Sequence, residues 1–418
     1  MKVFKFGGAS VRDADGIKNL YKIVAVEEGK LVVVVSAFAK TTNALENVLN
    51  VWISGDDSFK VLLEKIRDFH FSVCGELFGK ENPVEGTMSD SFAHLEEYLI
   101  HGERDDYDLE YDQVVSWGEI WATIIVEAYL HQKGLETGWV DIRKLLITDD
   151  RYRDANVQWD ESSKRIKKVL SFSKQRIYVT QGFIGGTLSG NSTTLGREGS
   201  DYTAAILANI LGAEFVVVWK DVPGILNADP GWMPEASKLE EMSYREAVEI
   251  SFSGAKIIHP KTIKPLQNKN IPLYVKSFQS PDGEGTIIKD EPVLRKMLPV
   301  FIRREKQLLL SILPKDFSFV IGDNLGRIFH TFNRHKINVN VVEASAVSID
   351  VCIDDEREKI GSLTEELKAE FDTYYNEGLE LLSIRHYTPE SVKLITAGKE
   401  ILLEQRTRST VRYVVRKV

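Results

Sequence analysis

The sequence lacks several features that would place it in a specialised class of protein. It has only two cysteines in 418 residues, Cys74 and Cys352, and their spacing matches neither a disulfide framework nor a zinc site. Its longest apolar run, which begins at Leu31, is far shorter than a membrane span. The first ten residues, MKVFKFGGAS, contain no apolar stretch of a signal peptide. We therefore expect a cytoplasmic protein with free thiols and no membrane partner.

Basic residues are too few for a nucleic-acid-binding protein. The 53 lysines and arginines are outnumbered by 62 aspartates and glutamates, which leaves a net charge of −9. Nucleic-acid binding requires an excess of positive charge that neutralises phosphates, so we expect no nucleic-acid partner. A small anionic ligand needs only a local cluster of cations and remains compatible with this composition.

Common nucleotide and metal motifs are also absent. The sequence contains no GxxxxGK[ST] phosphate-binding loop, no GxGxxG dinucleotide fingerprint and no HExxH zinc motif. The HRD and DFG motifs of protein kinases are missing as well. Any phosphate chemistry of this chain must therefore use a different arrangement of residues.

Five runs rich in valine and isoleucine predict buried β-strands with helices between them. Continuous apolar runs are typical of parallel strands that helices cover on both faces. The runs are KVFKFGG, KLVVVVSAF, QRIYVTQGFIGG, EFVVVWKDV and IPLYVKSF, which begin at residues 2, 30, 175, 214 and 271. The pattern predicts a three-layer αβα domain with a largely parallel sheet over residues 1–285. We also expect a helix from about Val115 to the Gly134 stop, with Glu119 near its start.

The pattern changes after an acidic segment rich in glycine and proline at residues 280–292. Residues 300–418 alternate short strands with amphipathic helices, which predicts an α+β region. We expect two small ferredoxin-like βαββαβ units in this region. One of them is expected to be abbreviated, because the elements are too few for two complete units.

Four polar clusters follow predicted strands, at residues 5–10, 36–43, 182–201 and 219–230. Ligands of open α/β sheets bind at the carboxyl ends of the strands, so we expect the clusters to form one site. The third cluster ends in TTLGREGSD, a glycine-rich charged turn that opens an apolar helix. Such a turn is compatible with anion binding at a helix N-terminus or with simple capping by Ser200 or Asp201.

Six motifs, taken together and in order, resemble the motif set of the aspartate kinases in the amino-acid kinase superfamily. They are KFGGAS, VVSAFAKTTN, SWGE, TTLGREGSD, KDVPGILNADP and SGAKIIHP. The resemblance covers essentially the whole chain and includes a tail similar to the ACT regulatory region. It implies an amino-acid kinase catalytic domain at residues 1–285 and an ACT-like regulatory and dimerisation region at residues 300–418.

The implied reaction is phosphorylation of the side-chain carboxylate of L-aspartate by ATP with Mg²⁺. The product is 4-phospho-L-aspartate, and the reaction is the first step toward lysine, threonine and methionine. A carboxylate is already ionised at neutral pH, so the reaction needs charge stabilisation more than a strong base. The resemblance further implies a homodimer and an amino-acid effector that binds the ACT-like region.

The resemblance also implies roles for individual residues. The implied catalytic residues are Lys5, Asp201 and Lys256. The implied aspartate-binding residues are Arg197 for the α-carboxylate, Glu119 for the ammonium group, and Ser36, Thr42 and Ser200. The implied ATP-binding residues are Lys5, Gly7, Gly8, Ser10, Lys220, Asp221, Leu226, Asp229, Lys256 and Ile257. The phosphates of ATP would be the main ligands of Mg²⁺.

Some positions depart from the motifs of the family, and two other functions remain open. Glu198 stands where a glycine is usual, Lys220 where a threonine is common, and Gly231 where an arginine often follows the Asp-Pro pair. The chain could instead be a kinase for another small acidic amino acid. It could also be a catalytically inactive sensor whose ACT-like tail binds an amino acid.

Overall fold

The computed structural model describes residues 1–255, 257–290, 298–316 and 318–417. Within these limits the chain forms two compact units. The first contains residues 1–225, 238–248 and 257–290, and the second contains residues 226–237, 249–255, 298–316 and 318–417. The second unit thus includes two short segments from residues 1–285, which the sequence did not indicate. The domain boundaries at 285 and 300 stay a prediction.

The first unit is built on a largely parallel sheet. Its strands are β1 (Lys2–Phe6), β2 (Leu31–Val35), β3 (Thr137–Val140), β4 (Ile177–Gln181), β7 (Phe215–Lys220), β8 (Glu241–Ser243), β9 (Leu273–Ser277) and β10 (Thr286–Lys289). A separate ribbon consists of β5 (Ile184–Gly186) and β6 (Ser192–Thr194). The order in the sheet is β3-β4-β2-β1-β7-β9-β10-β8, and only the β9–β10 pair is antiparallel. The predicted α/β fold with a largely parallel sheet is confirmed.

Helices cover both faces of this sheet. They are α1 (Ala14–Ala25), α2 (Thr41–Ile53), α3 (Phe59–Phe78), α4 (Glu85–His101), α5 (Tyr107–Gln132), a 3₁₀ turn (Ile142–Lys144), α6 (Trp159–Val169), α7 (Gly199–Leu211), α8 (Tyr244–Phe252) and α9 (Pro260–Gln267). Phe4, Phe6 and Val33 form one core with α1 to α5. The alternate residues Val3 and Val34 are equally buried, on the side where α7 contacts β1, β2 and β7. Burial on both faces explains the continuous apolar runs.

The start of α5 differs from the prediction. The helix begins at Tyr107, eight residues before Val115, because the Asp106 carboxylate accepts hydrogen bonds from the backbone N–H groups of Asp108 and Leu109. Glu119 therefore lies in the middle of a long buried helix, and the placement near a helix start was wrong. The predicted stop is confirmed, since the helix ends before Gly134, which has a φ of +86°.

The second unit contains one antiparallel sheet of six strands. The strands are β11 (Val300–Pro314), β12 (Val339–Ala344), β13 (Ile349–Asp354), β14 (Phe371–Arg385), β15 (Lys399–Arg406) and β16 (Thr410–Lys417). The helices are α10 (Asp323–Arg334), α11 (Arg357–Leu367) and α12 (Pro389–Thr396). The order is β12-β13-β11-β14-β16-β15. β11 and β14 are long enough to belong to two overlapping ferredoxin-like arrangements.

These two arrangements differ in completeness. The first follows β11-α10-β12-β13-α11-β14, and its helices bury Ile328, Phe332 and Leu363 against the sheet. The second uses β14, α12, β15, β16 and the first half of β11, and it is covered by Ile395 of α12 and by Ala228 of the segment 226–237. Among the helices of the described residues, none is long and apolar enough to cross a membrane.

Candidate active site

A cavity of about 560 Å³ opens at the carboxyl ends of the central strands of the first unit. Parallel pairing of β1 with β2 and β7 brings the loops after these strands to the same edge of the sheet. The loop after β4 and the start of α7 complete the walls. The sequence-predicted site residues that line this cavity are Lys5, Gly8, Ser36, Thr42, Glu119, Arg197, Ser200, Asp201 and Lys220.

A buried ion pair lies in the wall of this cavity. The Lys5 ammonium group is 2.7 Å from Oδ1 of Asp201, whose side chain is only 3% exposed. Lys220 reaches the other carboxylate oxygen at 3.7 Å. Burial alone would raise the pKa of Asp201, but the two ammonium groups lower it below its ordinary value. Asp201 is therefore ionised at neutral pH and binds two lysines.

The glycine pair after β1 lets the backbone approach its neighbours closely. A Cβ atom on Gly8 would lie 2.7 Å from the carbonyl oxygen of Ala37, so a side chain at this position would clash with the loop after β2. A Cβ atom on Gly7 would be 3.4 Å from Nζ of Lys5. A phosphate against this backbone would therefore lie within reach of the Lys5 ammonium group.

The turn before α7 presents Arg197 and Ser200 to the cavity. Glu198 is the residue that precedes the helix, with a left-handed φ of +54° and no side-chain capping bond. Ser200 and Asp201 lie inside the first turn, so the interpretation of either as the cap was wrong. The Ser200 hydroxyl instead accepts a hydrogen bond of 3.0 Å from the Ser36 hydroxyl. Exposed Arg197 forms no hydrogen bond or ion pair with any described residue.

The unusual Glu198 binds a second helix terminus. Its carboxylate accepts a hydrogen bond of 2.7 Å from the backbone N–H of His259, the residue that precedes α9. A carboxylate is stabilised at this end of a helix. The negative charge introduced by Glu198 is therefore partly compensated at α9.

Glu119 projects from α5 into the buried side of the cavity. Its Oε1 accepts a long hydrogen bond of 3.4 Å from the Ala37 backbone N–H, and Oε2 has no partner among the described residues. Burial raises the pKa of this carboxyl to about 8. A buried carboxyl group with an unpartnered oxygen is stabilised by an ammonium ligand that enters the cavity.

Comparison with known proteins assigns this site to a family. The sequence model of the Amino acid kinase family matches residues 1–277. Lysine-sensitive aspartokinase 3 of Escherichia coli (strain K12) is 31% identical over 353 residues, which cover 84% of this chain and 78% of that protein. The chain belongs to the aspartokinases of the amino acid kinase family. The predicted resemblance is confirmed.

Further aspartokinases match in sequence and in structure. Aspartokinase 3, chloroplastic, of Arabidopsis thaliana is 33% identical over 367 residues, or 84% of this chain and 64% of the relative. The chain spans only 41% of bifunctional aspartokinase/homoserine dehydrogenase 1 of Zea mays. The crystal structure of E. coli aspartokinase III with aspartate and ADP aligns with a TM-score of 0.84 and 27% identity. That alignment covers 99% of this chain and 96% of the other.

Other residues that the aspartokinase motifs implied do not line the cavity. Ser10 is buried behind it, where its hydroxyl donates to the Trp219 carbonyl at 3.4 Å, and Asp221 is exposed just after β7. The Ile257 carbonyl accepts a hydrogen bond of 2.5 Å from Lys220. Leu226 and Asp229 belong to the second unit. Gly7 is not part of the lining, and Lys256 lies outside the described residues.

The aspartokinase motifs did not indicate Arg153, which also lines the cavity. Its guanidinium group stacks on the Tyr111 ring at 4.4 Å, and its backbone has a φ of +67°. The buried Asp112 carboxylate accepts hydrogen bonds from the Arg153 N–H at 3.0 Å and from the Thr194 N–H at 2.8 Å. Asp112 thus connects the loop of Arg153 to the end of β6. In the sequence, this part of the site was indicated only by the position of Asp112, two helical turns before Glu119 on the same helix.

Proposed function

We propose that this chain transfers the γ-phosphoryl group of ATP to the side-chain carboxylate of L-aspartate, forming ADP and 4-phospho-L-aspartate. The observation that carries the proposal is a single cavity that combines the buried Lys5–Asp201 pair, the buried carboxyl of Glu119 and Arg197, which pairs with no residue of the described ranges. The E. coli aspartokinase III structure, which contains aspartate and ADP, supports this assignment.

The charges of the cavity suit a reaction between two anions. The nucleophile is a carboxylate and the electrophile is a phosphate, so their mutual repulsion is the main obstacle. Among the described residues, four cationic side chains line the cavity, against three carboxyl groups, one of which has a raised pKa. Lys5 and the Gly8 backbone would stabilise the phosphoryl oxygens. No residue needs to act as a general base, because the nucleophile is already ionised.

The same cavity offers a complementary group for each charge of aspartate. Arg197 can bind the α-carboxylate in a bidentate manner. Glu119 can bind the α-ammonium group from the opposite, buried side. Ser36, Thr42 and Ser200 supply hydroxyl groups to the remaining oxygens. The side-chain carboxylate would then be directed toward Lys5.

We expect Mg²⁺ to enter the cavity bound to the phosphates of ATP. The described residues contain no group of three or more histidine, cysteine, aspartate or glutamate side chains that could hold a metal ion. Both oxygens of Asp201 face lysines. The ion would neutralise charge on the nucleotide. A second cation from Lys256 remains part of the proposal.

We further propose a homodimer formed through residues 300–418 and an amino-acid effector that binds there. The E. coli enzyme has been crystallised with lysine and aspartate, which supports an amino-acid effector. The reaction would open the route to lysine, threonine and methionine.

The proposal is tested by an ADP-release assay with MgATP and a panel of L-aspartate, L-glutamate and L-lysine. Hydroxylamine would trap the acyl phosphate as a hydroxamate. We expect turnover and hydroxamate with aspartate alone. Turnover with glutamate instead would indicate a kinase for another acidic amino acid. No turnover, together with calorimetric binding of lysine or threonine, would indicate an inactive sensor.

A further inference from the structure

Lys220 is the second lysine of the Asp201 carboxylate. It is the last residue of β7, the neighbour of β1 in the sheet, so it approaches Asp201 from the strand beside Lys5. Its ammonium group is 3.7 Å from Oδ2 of Asp201 and donates a hydrogen bond of 2.5 Å to the Ile257 carbonyl oxygen. A quarter of the side chain remains exposed, in the wall of the cavity.

The charges around Lys220 do not balance. Asp201 carries one negative charge, and the closer ammonium group of Lys5 already compensates it. The Ile257 carbonyl supplies a dipole but no charge. One positive charge is therefore left over beside Lys5, in a partly buried place where it interacts more strongly than it would in water.

The other charged residues of the cavity are engaged elsewhere. Arg153 stacks on an aromatic ring and pairs with Asp108 at 3.3 Å. Glu198 accepts the His259 N–H. Arg197 and Glu119 suit the two charges of the amino-acid backbone. Among the described residues, the surplus charge beside Lys5 thus has no anionic partner other than a ligand.

We propose that Lys220 is a further catalytic lysine, which binds the γ-phosphoryl oxygens of ATP while Asp201 holds the Lys5 and Lys220 ammonium groups on either side of it. This inference rests on the proposed function. During transfer a carboxylate oxygen of aspartate forms a bond to the γ-phosphorus. The bond from phosphorus to the bridging oxygen breaks, and its electron pair remains on ADP. No proton moves in this step.

A purely structural role is the alternative, because Lys220 also connects β7 to the segment before α9. If Lys220 binds phosphoryl oxygens, loss of its charge should weaken binding of nucleotides according to the phosphates they carry. If its role is purely structural, the loss of affinity should not depend on the phosphates. The test compares the unaltered protein with Lys220→Met, which keeps the apolar stem, and Lys220→Arg, which keeps the charge. A matched control is Lys276→Met, since Lys276 pairs with Trp219 on the next strand and is not part of the cavity lining.

We expect Lys220→Met to lower kcat by about 10²–10³-fold, as the loss of a donor to a transition-state oxyanion does. Calorimetry should show a larger loss of affinity for ATP than for ADP, and none for adenosine. Lys220→Arg should retain part of the activity, and Lys276→Met all of it. Unchanged kcat in Lys220→Met, or equal losses of affinity for ATP and adenosine, would overturn the proposal.

Chemical rescue isolates the ammonium group itself. Treatment of the Lys220→Cys variant with 2-bromoethylamine restores an amine at nearly the original length. Burial raises the pKa of the Cys74 and Cys352 thiols to about 12, so these native cysteines should not react. We expect the amine adduct to recover kcat and the neutral iodoacetamide adduct to remain inactive. Equal recovery with both reagents, or with neither, would contradict a role for the charge.

The two proposals can fail separately. If the unaltered protein does not phosphorylate aspartate, the proposed function is wrong. A loss of nucleotide affinity in Lys220→Met that grows with the number of phosphates would still support the role of Lys220. If aspartate is phosphorylated and Lys220→Met has normal kinetics, only the inference about Lys220 is overturned.

Discussion

Two buried carboxylates of this molecule are surrounded by cations, yet their settings differ. Asp201 of the first unit contacts Lys5 and Lys220, and all three side chains line a cavity. Glu380 of the second unit lies 2.5 Å from Arg303, with two further lysines within 3.4 Å. The cations of Glu380 come from the strands β11, β15 and β16 of one sheet, so this cluster connects strands.

The electrostatic signature of the two carboxylates is nevertheless the same. For both, burial alone would raise the pKa, and the neighbouring cations lower it below the ordinary value. A perturbed pKa therefore does not separate the candidate catalytic residue from the structural one. The separating feature is an adjoining cavity, which Asp201 and its two lysines line. This comparison predicts that changes at Asp201 and its lysines alter kinetics, whereas changes at Glu380 alter stability.

The largest effect is expected from Lys5→Met. Loss of the ammonium group should reduce kcat by about 10²–10³-fold, because a preorganised donor to the phosphoryl oxygens is removed. Lys220 would still compensate Asp201, so the melting temperature should change little. The matched control is Lys2→Met on the same strand, where Lys2 pairs with Glu27. Normal turnover in Lys5→Met would contradict the catalytic assignment of this cluster.

Most of the fold could be predicted from the sequence because its central strands are contiguous apolar runs. The starts of two helices could not be predicted in this way. α5 begins at the cap that Asp106 provides. α7 follows a left-handed Glu198 that makes no capping bond, whereas Ser200 or Asp201 was the expected cap. Both depend on local backbone geometry that residue types do not specify on their own.

The candidate site was predictable where it depends on topology. Parallel strands end at one edge, so the clusters after β1, β2, β4 and β7 had to meet there. Arg153 was not predictable, because its position depends on a hydrogen bond to Asp112, 41 residues away, and on a left-handed backbone. The connection from Asp112 to Thr194 spans 82 residues. Such contacts follow from the packed structure and have no local pattern.

The second-largest effect on kinetics is expected at Arg197, in the part of the cavity that is assigned to the amino acid. Arg197→Ala should raise KM for aspartate by about 10–100-fold, the equivalent of one lost charge-assisted hydrogen-bonded pair. KM for ATP should remain unchanged, since Arg197 is assigned to the α-carboxylate. Arg165→Ala, a surface arginine paired with Glu161, is the control. A loss of ATP affinity in place of aspartate affinity would show that Arg197 belongs to the nucleotide site.

Glu119 extends the comparison to a buried carboxyl group that forms no ion pair with any described residue, although Lys5 lies close enough to favour its ionised form. Its pKa is raised to about 8 by burial, so it is largely protonated in the free protein at pH 7. An ammonium ligand favours the ionised form, so binding releases a proton below pH 8. KM for aspartate should therefore rise about tenfold for each pH unit below 8 and level off above it. Glu119→Gln should have a higher KM without this pH dependence. Any dependence on pH that remains in the variant comes from titration of the substrate, so the variant also serves as the correction for it. Parallel profiles in both proteins would contradict this role.

The smallest effect on activity is expected from Glu380→Gln. Removal of this charge takes the carboxylate away from Lys399 and Lys417 and leaves Arg303 with Glu305 as its remaining partner, which should lower the free energy of unfolding by about 1–3 kcal/mol with unchanged kcat and KM. The pKa of Glu380 is below its reference value of 4.5 in the folded protein, so its stabilisation is present above pH 4.5 and is lost as pH falls through the folded value. Denaturation of both proteins at pH 7 and at pH 3 measures this difference, which should shrink at pH 3. An activity loss without a stability loss would mean that charge clusters in the two units do not divide into catalytic and structural kinds.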